Sequence, residues 1–84
     1  MNSINKEDTE MVRQALQEKG LYSYLEKVEV IEHDHSYKEK EREIVYKRKE
    51  TDMAQSHTIK QRLENALDEI SRRFGIPAYS EESY

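Results

Sequence analysis

His33 and His35 stand two residues apart, a spacing that puts both side chains on one side of a β-strand. With His57 as a third nitrogen they would supply three imidazoles and leave one position open, the arrangement of a hydrolytic zinc site. Nothing in the sequence brings His57 to the other two, however. Two histidines flanking Asp34 in a polar stretch are also ordinary solvated loop residues, and that is the reading adopted. No metal and no cofactor is expected.

Paired carboxylates are the second candidate, in Glu39, Glu41 and Glu43 and again in Asp68 and Glu69. General acid–base chemistry needs two such groups in unequal environments, which burial usually creates. These lie among lysines and arginines, the pattern of a solvated face. The chain has no cysteine, hence no thiol nucleophile, disulfide or thiolate metal site. With two glycines in all it has no phosphate-cradling loop and no Gly-x-Ser-x-Gly turn. An enzyme is not expected.

Tyr46-Lys47-Arg48-Lys49 is the third. Three consecutive bases beside an aromatic ring can hold phosphates while the ring stacks on a nucleobase. Lys38, Lys40 and Arg42 would extend them into a basic ribbon able to enter a major groove. Against this, Glu39, Glu41, Glu43 and Glu50 are placed to pair with the same bases across strands. The net charge of -4 opposes a polyanion elsewhere on the surface. Nucleic-acid binding through Lys47, Arg48 and Lys49 is therefore the alternative, not the first reading.

The tyrosines point to a binding surface of another kind. There are six, with one phenylalanine and no tryptophan, and Tyr22, Tyr24, Tyr37 and Tyr46 cluster in or near the central segment. Tyrosine offers a large contact area at small entropic cost, although it is a normal strand residue as well.

Two helices frame that segment. From about Lys6 to Lys19, Met11, Val12, Ala15 and Leu16 share a face, Asn5 is a cap, and Glu7 and Asp8 favour the positive end of the dipole. Gly20 ends this helix with Leu21 set opposite Leu16. From Met53 to Phe74, Ile59, Leu63, Ala66, Leu67, Ile70 and Phe74 recur at helical spacing behind a possible Asp52–Gln55 capping box. Arg72 and Arg73 occupy the last turn, and Gly75 and Pro77 stop it, with Ile76 folded back on Ile70.

Between the helices, Val28-Glu29-Val30-Ile31 and Ile44-Val45-Tyr46 read as two strands of an antiparallel hairpin. Leu21, Leu25, Val28, Ile31 and His35 also fit helical spacing, which keeps an all-α middle as the alternative. The expected fold is α+β, in the order helix, hairpin, long helix (α-β-β-α). It forms one domain over residues 1–77, with an acidic tail over 78–84.

At 84 residues with 35% hydrophobic and 38% charged, the core is thin for one domain. The long helix would span about 33 Å, against about 17 to 20 Å for common strands. Part of its apolar stripe is thus expected to pair with a second chain. No apolar run reaches the roughly 18 residues of a membrane span, and residues 1–8 lack the basic start and apolar stretch of a signal peptide. A cytoplasmic location and no membrane partner follow. The expected function is a small non-catalytic regulatory or inhibitory adaptor that binds another protein and works as a homodimer. Its interface would be drawn from Ile59, Leu63, Leu67, Ile70, Phe74, Tyr22, Tyr24 and Tyr46.

Overall fold

The computed structural model describes residues 2–34, 40–49 and 53–81. Its elements are β1 (Asn2–Ile4), α1 (Lys6–Glu18), a 3₁₀ turn (Tyr22–Tyr24), β2 (Leu25–His33), β3 (Glu41–Arg48), α2 (Met53–Phe74) and β4 (Ala78–Ser80). The class is α+β, with two helices packed on one face of a four-stranded mixed sheet in the order β1-β2-β3-β4. The expected hairpin is present as β2–β3, which excludes the all-α alternative. The sheet is wider than α-β-β-α implies. β1 joins β2 antiparallel, and β4 returns after α2 to lie parallel to β3. Ala78–Ser80, read from the sequence as the start of a tail, is therefore a strand.

Local chemistry sets the helix boundaries. Asn5 Oδ1 accepts the Asp8 N–H at 3.0 Å, so the cap is as the sequence proposes. At the other end Leu21 N–H reaches Leu16 O and Gly20 N–H reaches Gln17 O, both at 3.0 Å, with Gly20 at φ 71. That is the paired hydrogen-bond pattern of a Schellman stop, and it closes Leu21 over Leu16. α2 ends the same way. Gly75 lies at φ 69 and Ile76 N–H reaches Ser71 O at 3.0 Å, which buries Ile76. The Asp52–Gln55 capping box lies outside the described residues and side chains.

Alternation along the hairpin sorts its residues onto two faces. Val28 and Val30 on β2, and Ile44 and Tyr46 on β3, face the helices. They meet Val12 and Leu16 of α1 and Leu63, Leu67 and Ile70 of α2 in one core. The register shifts between Leu25 and Lys27, which returns Leu25 to the helix side after the break. β2, at nine residues, is about 30 Å long. The ribbon thus matches the helix in length, and the excess of helix over strand inferred from common strand dimensions is absent.

A polar clasp fastens α1 to the sheet. Asn5 N–H donates to Val30 O at 2.8 Å, and the Thr9 hydroxyl donates to Asn5 O at 2.7 Å while accepting Val30 N–H at 2.9 Å. The first turn of α1 thereby continues, along β2, the hydrogen bonding that β1 begins. Asn5 Nδ2 to Glu32 at 3.2 Å and Arg42 to Asp8 at 2.7 Å extend the clasp towards β3.

Candidate interaction surface

The histidines and the bases are dispersed by the strand alternation. His33 points away from the helices, half-buried, with Nε2 3.2 Å from Glu43 Oε1 on the neighbouring strand. His57 is exposed on α2, which covers the opposite face, so the sheet stands between them. His35 lies outside the described residues. Among the described residues no three metal-ligating side chains converge. Of the carboxylates, Glu39 lies outside the described residues. Asp68 pairs with Arg72 at 3.3 Å and Glu69 with Lys19 at 2.7 Å. The hydrogen bond from Lys19 holds the Glu69 carboxyl below the usual range.

Lys47 falls on the uncovered face, where it lies 3.5 Å from Glu26. Alternation turns Arg48 to the helix side, and Lys49 is exposed beyond the end of β3. Arg42 also faces the helix side, bound to Asp8, and Lys40 lies 3.7 Å from Glu32. The bases that run together in sequence are thus divided between two faces. Lys38, Tyr37 and Glu50 lie outside the described residues.

The residues expected to pair between chains are placed within one chain. Ile59, Leu63, Leu67 and Ile70 are buried in the core beneath the sheet, and Tyr46 is buried on β3. Tyr22, Tyr24 and Phe74 pack against the margin of the same core. The Arg13 guanidinium stands 6.0 Å from the Tyr22 ring centroid and holds that ring to α1.

What remains outside, among the described residues, is the sheet face without helices. Register brings Ile4 beside Ile31, and Val45 beside Tyr79, on that face. Ile31 and Val45 are diagonal neighbours, since Ile31 opposes Glu43 and Glu29 opposes Val45. The four form an apolar diagonal across all four strands. Ile4 is 53% and Tyr79 55% exposed, while Val45, at 9%, belongs to no helix-side cluster.

Charged pairs frame the diagonal. On one side Lys27 Nζ lies 3.0 Å from Glu81 and 3.6 Å from Glu29, and the Glu81 hydrogen bond raises its pKa. On the other a cleft of about 340 Å³ opens between His33, Glu41, Glu43, Pro77 and Tyr79.

Sequence reasoning missed this diagonal, though a signal for it exists. Val30-Ile31 and Ile44-Val45-Tyr46 are unbroken apolar runs, and in a strand adjacent residues face opposite ways. One residue of each run must therefore leave the core. No helix among the described residues is long and apolar enough to cross a membrane. No family model, curated protein or solved structure matches this chain.

Proposed function

We propose that this chain is a small non-catalytic protein-binding module, an adaptor or inhibitor, that engages its partner through the uncovered sheet face. The observation that carries the reading is the diagonal Ile4–Ile31–Val45–Tyr79. Antiparallel strands with one solvated face alternate apolar and polar residues, and here the solvated side keeps Ile31 and Val45 at its centre. An apolar centre with a charged rim is the usual anatomy of a protein interface. Among the described residues, the candidate histidines and carboxylates stand apart or in ion pairs, which favours binding over chemistry. A chain without cysteine suits the reducing cytoplasm, where we place the module.

The test is affinity capture from an extract of the source cell, with and without nuclease, using wild type and Ile31→Lys. Ile31 lies outside the core, so the variant keeps the fold while placing a charge in the centre of the face. Nuclease-resistant recovery of one protein by wild type, lost with Ile31→Lys, is the expected result. Recovery that nuclease abolishes would replace this reading with nucleic-acid binding through Lys47, Arg48 and Lys49. Recovery unchanged by Ile31→Lys would remove the sheet face from the account.

A further inference from the structure

The two edges of the sheet are fastened unequally. β1 runs directly into α1, and the clasp of Asn5 and Thr9 on Val30 ties that junction to β2. β4 follows α2 through Ile76 and Pro77. Ile76, 3% exposed, is set in the core with its N–H bound to Ser71 O. Beyond it the strand hangs on the edge of β3. Ile44 N–H donates to Pro77 O at 2.7 Å and Glu81 N–H to Tyr46 O at 2.8 Å, and the parallel ladder between them runs through Tyr79. Pro77 has no N–H, so the ladder cannot continue back to Arg42.

Little apolar surface reinforces those bonds. Of the two apolar side chains in β4, Ala78 packs on the margin of the core and Tyr79 stands 55% exposed on the other face. Beside Ala78 a groove of about 160 Å³ opens between the strand and α2, lined by Tyr46, Leu67, Asp68 and Ser71. Such a gap withholds the contacts that would seat the strand on the helix. The far end is tied from a distance, where Lys27 Nζ reaches from β2 past β3 to lie 3.0 Å from Glu81.

We propose that β4 is a strap that opens about Pro77 while the rest of the fold stays intact, with the Lys27–Glu81 pair as its latch. Segments with few buried apolar contacts open at a fraction of the free energy of global unfolding. Ile76 stays in the core as the anchor, and the ladder beyond it parts. Opening frees the Ile44 N–H and the Tyr46 C=O along the edge of β3. A bare edge is a template for another extended chain. The strap thus masks a strand-pairing site when shut and presents it when open.

Native-state hydrogen exchange of the full chain, followed by NMR from zero to about 1 M urea, tests the strap. β3 carries its own control. Ile44 donates outward to Pro77, whereas the register with β2 turns the Val45 N–H inward to Glu29. Corrected for intrinsic rates, the Ile44 and Glu81 amides are expected to exchange about tenfold or more faster than Val45, with almost no dependence on urea. Lys27→Gln should speed both about two- to fivefold, the reach of an exposed ion pair. Thr9→Val acts on the other edge of the sheet. It should speed Val45 about tenfold or more and leave Ile44 and Glu81 as they were.

Ile44 and Glu81 exchanging at the Val45 rate, with its urea dependence, would overturn the proposal. So would a Thr9→Val effect shared equally by all three amides, or a Lys27→Gln variant in which Ile44 and Glu81 are no faster.

Discussion

Replacing Thr9 with valine keeps the shape of the side chain and removes one oxygen. That oxygen joins α1 to the sheet, accepting Val30 N–H at 2.9 Å and donating to Asn5 O at 2.7 Å. Val30 is fully buried, so its amide has no access to bulk water when the hydroxyl is gone. Leaving such a donor without its acceptor costs about 1–3 kcal/mol. Asn5 O loses less, because it also accepts Thr9 N–H at 2.9 Å. Helix propensity barely separates the two residues. Thr9→Val should therefore destabilise the fold by about 2 kcal/mol. Thr9→Ser, which keeps the oxygen and loses a methyl group, should cost less than about 1 kcal/mol. For a domain of this size the urea slope is about 1 kcal/mol/M, so the midpoint should fall by about 2 M for valine and by less than about 1 M for serine. Equal midpoints for the two variants, or a valine variant more stable than the serine one, would refute the clasp as the bond that seats α1.

Gly75→Ala should cost about 1 kcal/mol through backbone strain alone, since φ is 69 and nothing lies within 4 Å of an added Cβ. Thermal unfolding should register it as a loss of roughly 4–8 °C. Lys19→Gln should lower stability at neutral pH by removing the cation that holds the Glu69 carboxyl down. A depressed carboxyl contributes stability above its unfolded pKa and loses it as pH falls through the folded one. The deficit owed to Glu69 should thus close below the usual carboxylate range, which urea melts from pH 7 to 3 would follow. Changing Lys47, Arg48 and Lys49 together to Gln should leave low-salt affinity for duplex DNA unchanged in fluorescence anisotropy. A fall of about 2 to 3 in the logarithmic salt slope would contradict that, because it would mean the three bases grip phosphates.

The parts of the fold legible in the sequence are those whose signals are local. Asn5 and Gly20 bound α1 as read, and Gly75 with Ile76 ends α2, because a cap or a left-handed residue acts within one turn. The hairpin was legible from its β-branched runs. β1 and β4 were not, since three residues such as Asn2-Ser3-Ile4 or Ala78-Tyr79-Ser80 carry no periodicity and become strands only when a longer strand offers its edge.

The apolar residues of α2 were legible as a stripe but not as to what covers them. Helical spacing shows which residues share a side and is silent on whether a sheet or a second chain lies opposite. The same holds for the bases at 47–49. Adjacency in sequence suggests a patch, while strand alternation turns the middle one away from its neighbours. Thr9 was invisible for a different reason: its role depends on Val30, 21 residues further on.

If the sheet face opposite the helices is the surface that meets other protein, it should crosslink to protein where the outer side of α2 does not. The direct measurement places a photo-crosslinking residue at Tyr79, on that face, or at Asn65, exposed on α2, and irradiates the intact source cell. The account predicts protein adducts from position 79 and none from position 65. Adducts from position 65 alone, or none from position 79, would contradict it.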